Sequence, residues 1–300
     1  MSRLTNIQIW AGLPAIFCYG QYDLYKRWLA CMRITFVPMV AMCIATCMHL
    51  PFCLLFMNAF GLGIVGLAVA SSCRDFILLV ALMIYGNCKT EIRDTLQPFW
   101  SRETFRGWGE YLKVSLPSTV MICAEWWGFQ VLTIVAGTMG VVEQASFTML
   151  TTIGAILFMA PLGIQEATCA IIGNCIGANN VPLAKRFFRL ICKVNLAVVI
   201  SLSLLVATAR HQIVAFYTND EAVRQIVSQV LIVLAVNFTS DGMQSFLQGP
   251  VRAMGLQKIA SFMSLGCYYV IGIPSSLLLG LTADLGVLGL EAGFGIAATV

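Results

Sequence analysis

Two carboxylates in this chain stand where a water-soluble protein would not put them. Glu125 lies in the run ICAEWWGFQ and Asp241 in NFTSDGMQSF, each inside a long apolar stretch. A charged side chain in the middle of a membrane span costs at least about 2–3 kcal/mol, so such residues are functional candidates by default. No lysine or arginine lies within a helical turn of Glu125, and Asp241 has none nearby before Arg252. An acid so placed can bind a proton or a cation; its rival reading is a hydrogen-bonded structural acid. Asn237 precedes Asp241 by one helical turn and shares its face, so a polar knot between helices competes with ion coupling there. The Asn237-Phe238-Thr239 triplet matches a glycosylation sequon, but its place in a span discounts it.

Aromatic residues surround these acids. Trp126, Trp127 and Phe129 flank Glu125, and Tyr268 and Tyr269 lie in a later stretch. A carboxylate among aromatic faces suits a bulky organic cation through charge and cation–π attraction, although the same rings also pack ordinary helix bundles. Other charges within or near spans have plainer readings. Arg74 and Asp75 are adjacent, about 100° apart on a helix, so no simple mutual pair is expected; each should be satisfied by contacts within its own part of the chain. Glu143 suits a helix N-terminus, and Glu166 sits toward the inner end of its stretch.

The elements that must position these groups are membrane helices. Of the 300 residues, 59% are apolar and 11% charged, against roughly 25% charged in a soluble domain. Such a chain cannot cover a water-facing surface, which excludes a soluble enzyme, a disordered tail and a nucleic-acid-binding domain. The cysteines lie mostly in apolar stretches, where they behave as small hydrophobes. No C-x-x-C occurs and only His49 and His211 are histidines, so no metal site is expected. A cleavable signal peptide is not expected either.

Spanning the bilayer core takes about 20 apolar residues. Nine stretches qualify: 6–25, 35–57, 62–86, 112–137, 144–173, 187–209, 225–250, 258–281 and 285–300. The first is weakest, since it holds Asp23, and the last is still apolar where the chain stops. Lys and Arg mark cytoplasmic loops. The loops and flanks after stretches 1, 3, 5 and 7 carry Lys26, Arg27, Arg33, Lys89, Arg93, Arg102, Arg106, Lys113, Lys185, Arg186, Arg189, Lys193, Arg252 and Lys258. Those after 2, 4, 6 and 8 carry only Arg210 and Arg224. The N-terminus is therefore expected outside.

The chain also repeats. At an offset of 223 residues Gln21 meets Gln244, Pro51 meets Pro274, and LGIVGL (62–67) meets LGVLGL (285–290). Shared glycines and a proline at one register mark fixed backbone features. Stretches 1–3 thus recur as 7–9, a period of six spans. An even period gives parallel halves related by an axis along the membrane normal. By that arithmetic three spans, about 110 residues, are expected upstream, and the sequence reads as truncated at both ends.

These features resemble the multidrug and toxic compound extrusion (MATE) family, eukaryotic type. The likeness is carried by YLKVSLPSTVMICAEWWGFQ, PLGIQEATCAIIGNCIGANNVPLAKR, VRAMGLQKIASFMSLGCYYVIGIP and LGVLGL, and more weakly by LPAIFCYGQYDLYKRWLACMRITFVPMV. The resemblance implies an all-α polytopic membrane protein of about nine transmembrane helices, spans 4–12 of a fold with two six-helix lobes. Residues 1–88 would be the back half of the N-terminal lobe, 89–111 a cytoplasmic linker and 112–300 the C-terminal lobe. It implies a secondary antiporter, not an enzyme, that exports organic cations or drugs in exchange for H+ or Na+. No cofactor and no nucleic acid is implied, and a monomer is expected, in the plasma membrane or a vacuolar or vesicular one. Glu125 matches the family's seventh-span acid, and Asp241 falls where animal members often have a glutamate. Gln130 and Thr152 stand where those members have further glutamates, so the animal-type substrate range does not carry over directly. The coupling residues would be Glu125 and Asp241. The candidate substrate contacts are Trp126, Trp127, Gln130, Asn237, Tyr268 and Tyr269.

Three rivals are a lipid-linked oligosaccharide flippase of the same superfamily, a membrane-embedded enzyme and an inactive fragment. A flippase would need a basic cavity, yet Arg74 alone among the bases falls mid-span. A membrane-embedded enzyme would need a motif such as H-E-x-x-H, which is not found.

Overall fold

Every apolar stretch becomes a helix in the computed structural model, which describes residues 2–93, 95 and 106–299. Residues 94 and 96–105 of the 89–111 linker, Arg102 among them, lie outside the described residues. Nine long helices follow the nine stretches among the described residues: α1 (Ser2–Cys31), α2 (Phe36–Ala59), α3 (Gly63–Cys88), α4 (Trp108–Met139), α5 (Val141–Gly177), α6 (Val181–Tyr217), α7 (Glu221–Ala253), α8 (Gln257–Thr282) and α9 (Gly286–Thr299). One further helical turn covers Thr90–Arg93. Helices α2 to α8, 24 to 37 residues long, are long and apolar enough to cross a bilayer. Polar residues near the end of α1, Asp23 ion-paired with Lys26 and Arg27 among them, keep it off that set.

The chain divides into two compact units, Met1–Arg106 and Gly107–Val300, so the boundary falls inside 89–111. In the first, α3 packs against α1 and α2 around Tyr22, Leu29, Leu78 and Leu82. In the second, α7 packs against α5, α6 and α9, while α4 lies against α8 and α5. Its core holds Leu132, Phe147, Leu150, Val227, Leu231 and Leu290. Outward-facing apolar residues such as Phe36, Ile44, Leu50 and Leu54 on α2 suit contact with lipid.

The repeat is visible as one backbone device used twice. Helix α2 ends in a π-helical turn at Leu55–Ala59 and α8 in one at Leu278–Thr282. Phe60 N donates to Leu55 O (3.1 Å) as Ala283 N donates to Leu278 O (2.9 Å), each closing the wider turn. Gly61 and Asp284, both left-handed, follow at matching positions, then Gly63 and Gly286. A Cβ on Gly66 would lie 2.8 Å from the Phe56 backbone, and Gly289 makes the equivalent close approach to Leu279. The shared glycines therefore let the next helix start directly against the chain that turned into it.

Prolines sit inside α1, α2, α4, α5 and α7 at Pro14, Pro51, Pro117, Pro161 and Pro250, and Pro274 lies within α8. A proline removes one backbone donor, and membrane helices re-satisfy the freed groups with side chains and wider turns. In α8, Ser275 Oγ shares its one proton between Ile271 O (2.6 Å) and Gly293 O (2.9 Å), and Ser276 Oγ donates to Leu290 O (2.9 Å). These hydroxyls tie α8 to α9. Arg74 departs from expectation: its guanidinium pairs with the neighbouring Asp75 carboxylate at 2.8 Å. The arginine stem is long enough to wrap the 100° between adjacent positions.

Candidate functional site

In α4 the buried residues Met121, Ala124, Glu125, Gly128, Leu132 and Ala136 recur at three- and four-residue spacing. That stripe turns Glu125, 4% exposed, into the second unit and away from lipid. Gly128 lies one turn further along it. A Cβ there would meet the Phe294 ring at 2.8 Å, so the absence of a side chain lets Phe294 of α9 lie against α4. Phe294 packs on Phe129 at 4.4 Å between centroids and stacks on Tyr268 at 5.1 Å.

A cavity of about 450 Å3 opens between α4, α5, α7 and α9. Glu125, Trp126, Phe129 and Gln130 line it from α4; Thr151, Thr152, Phe158 and Met159 from α5; Asn237, Phe238 and Asp241 from α7; Glu291, Phe294 and Gly295 from α9. Three carboxylates face one space, with Trp126 edge-on to Phe158 beside Glu125 (6.3 Å). No lysine or arginine lines the cavity among the described residues.

Glu125 has a partner that sequence distance concealed. Gln248 Nε2 on α7 approaches its Oε2 at 3.4 Å, and Arg252 Nη2 donates to Gln248 Oε1 at 3.2 Å. Arg252 also pairs with Glu166 at 3.5 Å. Gln165, with its amide turned to satisfy both ends, donates to Ser245 Oγ and accepts from Arg252. Glu125 thus ends a polar chain reaching a guanidinium on another helix. Gly249 makes room for it: a Cβ there would strike the Gln165 carbonyl at 2.5 Å, so α5 and α7 touch at this level.

Glu125, Trp126, Gln130, Asn237 and Asp241 are brought to one cavity. Three other candidates are not. Trp127 is 61% exposed, because the next position on α4 turns 100° outward. Tyr268 is buried behind Phe294, its hydroxyl donating to Gln244 Oε1 at 3.0 Å. Tyr269 is half-buried at the edge of the core and off the cavity wall. Asn237 Nδ2 donates to the Glu291 carbonyl at 2.8 Å, which holds it inside the bundle.

Sequence reading missed Glu291, Gln248 and Phe294. For Glu291 the signal was present: an acid between Gly289 and Gly293 in an otherwise apolar span. For Gln248 no local signal exists, since its role depends on a helix 123 residues away.

The fold has close counterparts among solved structures. The crystal structure of the eukaryotic MATE transporter AtDTX14 superposes with a TM-score of 0.93 at 23% identity, covering 99% of this chain and 66% of that one. A point mutant of a Vibrio cholerae MATE transporter, VcmN, gives 0.84 at 15% identity, covering 96% and 65%. Among curated relatives, multidrug and toxin extrusion protein 1 of Xenopus tropicalis is 29% identical over 304 residues, covering all of this chain and 53% of the relative. The Homo sapiens protein of the same name is 26% identical over 293 residues, covering 98% and 51%. The chain spans about half the length of the curated relatives it matches. The MatE family model matches residues 117–278, which is more than half of the chain and includes Glu125, Asp241 and Gln248. This multi-pass membrane chain belongs to the MatE family, the multidrug and toxic compound extrusion transporters.

Proposed function

We propose that the protein is a secondary active antiporter that exports organic cations, drugs among them, in exchange for H+ or Na+. The observation that carries this reading is the cavity in which Glu125 and Asp241 face Trp126, Phe129 and Phe294. Aromatic faces and carboxylates together attract an organic cation, and the same carboxylates hold a proton or sodium ion in its absence. The relatives' names, multidrug and toxin extrusion proteins, support the same direction.

Exchange follows from competition. A proton or sodium ion arriving from outside neutralises Glu125 and removes the charge that held the organic cation. A site that cannot hold both partners couples their movements without a separate linkage, and alternating exposure of the site carries each to its own side. Gln248 holds the Glu125 carboxylate toward α7, so a change at Glu125 is felt by the helix bearing Asp241. In this reading 1–88 belongs to the N-terminal lobe and 112–300 to the C-terminal lobe of a monomer, with no cofactor beyond the coupling ion. A flippase is the weaker reading, because a lipid phosphate entering this cavity would meet three carboxylates and no base among the described lining residues.

The test is Glu125→Gln in the complete protein, expressed in cells loaded with a fluorescent organic cation. Efflux driven by a pH or sodium gradient is expected to disappear while the protein still inserts in the membrane. Efflux at the parent rate would overturn the assignment.

A further inference from the structure

Coupling through Glu125 and Asp241 leaves one buried acid without a role. Glu291, 7% exposed, lines the same cavity from α9. Its orientation follows from how α9 is seated. Gly289 and Gly293, four residues apart, press on α8, where a Cβ on either would strike the backbone of Leu279 or Ser276. A residue two positions from each projects about 200° away, toward the opposite side. There Asn237 donates to the Glu291 carbonyl, and its amide abuts Gly295 one turn further on. Both neighbours fix the rotation of α9, so Glu291 is held facing the cavity.

Helix α7 serves as a ruler for the three acids. Glu291 is level with Asn237, Asp241 comes one turn later, and Glu125 meets the amide of Gln248. The spacing follows from the contact of Gly128 with the Phe294 ring. Glu125 lies three residues before Gly128 and Glu291 three before Phe294, on helices five crossings apart in the chain that run in opposite senses. The two acids therefore fall on opposite sides of that contact, roughly 10 Å apart along the axis. Each end carries its own aromatic wall: Trp126 with Phe158 beside Glu125, Phe294 with Phe129 beside Glu291.

We propose that the cavity selects elongated organic dications, with one cationic head at Glu125 and Trp126, the other at Glu291 and Phe294, and Glu291 as the residue that sets this preference. The proposal rests on the organic-cation reading above and adds the charge and length of the substrate. A single positive charge neutralises one end and leaves the other carboxylate facing an apolar wall. Two charges about 10 Å apart satisfy both ends at once, and a coupling ion that neutralises Glu125 removes one of the two holds.

The experiment uses the complete protein purified in detergent, with binding followed by calorimetry. The probes are hexane-1,6-bis(trimethylammonium) and hexyltrimethylammonium, which share a chain length and differ by one charge. The parent protein is expected to bind the dication at least about tenfold more tightly than the monocation, the scale of one added ion pair in a partly screened site. Glu291→Gln should erase that preference, and a thermal midpoint close to the parent's shows that the variant is folded. Glu291→Asp, which keeps the charge, should retain most of it. Equal binding of the two probes by the parent, or a preference that survives in Glu291→Gln, overturns the dication assignment and leaves the organic-cation reading standing. Binding of neither probe by the parent overturns both.

Discussion

The seat of Glu291 depends on a glycine, and that dependence can be measured. In Gly293→Ala the new methyl carbon would have to occupy space now filled by the Ser276 backbone, its nitrogen and Cα among the contacts. Both are main-chain atoms, so no side-chain rotation relieves the overlap and α8 must move from α9 by about 1 Å to restore ordinary contact. Overpacking of this kind costs about 1–3 kcal/mol. The same separation loosens the hydrogen bonds from Ser275 to Gly293 O and from Ser276 to Leu290 O, both 2.9 Å. Interhelical bonds of this sort are worth about 0.6 kcal/mol each in membranes. The expected loss is therefore about 2–4 kcal/mol. At about 2 °C per kcal/mol for a chain of this size, the thermal midpoint in detergent should fall by about 4–8 °C. A thiol-reactive fluorophore provides the assay, since the chain has twelve cysteines and Cys175 is buried until the fold opens. Gly163→Ala is the control. It sits mid-helix in α5 with nothing within 4 Å of its added Cβ, and should be neutral or slightly stabilising. A midpoint for Gly293→Ala within 1–2 °C of the parent, roughly the size of the control, would refute the claim that α8 and α9 touch backbone to backbone there.

Other outcomes follow from the same geometry. Gly128→Val should push the Phe294 ring off α4 and weaken organic-cation binding severalfold, measured by dye displacement, because a Cβ alone already meets that ring at 2.8 Å. Gln248→Leu should cost about 1–3 kcal/mol in thermal stability, since Glu125 and Arg252 both lose a buried partner. Asp241→Asn should weaken ion-driven efflux less than Glu125→Gln does in the same vesicle assay; an equal or larger loss would reverse their ranking.

Much of the fold was legible because a bilayer imposes a simple rule on sequence. Long apolar runs became helices, and lysines and arginines marked their ends. Even the 223-residue repeat was readable, since glycine and proline recur where the backbone itself is special, at Gly66 and Gly289, at Pro51 and Pro274. The site was legible only in part. Glu125 and Asp241 stood out as acids in apolar runs, but which neighbours face them depends on packing between helices. Helix α4 is apolar almost all round, so periodicity could not show that Trp126 turns inward and Trp127 outward. Arg252 reaches Glu125 only through Gln248, across two helices distant in sequence. Glu291 lay in a stretch read as an unfinished span, and its role emerged once Gly289 and Gly293 fixed which side of α9 meets α8.

The central claim is that one cavity carries both the organic cation and the coupling ion, through Glu125. The most direct measurement reconstitutes the complete protein in vesicles enclosing a pH-sensitive dye and imposes a gradient of organic cation alone, with and without sodium. The cation gradient should drive protons or sodium ions the opposite way, and that counter-movement should vanish in Glu125→Gln. Cation movement with no opposing ion movement, or the same counter-movement in the Glu125→Gln vesicles, would contradict it.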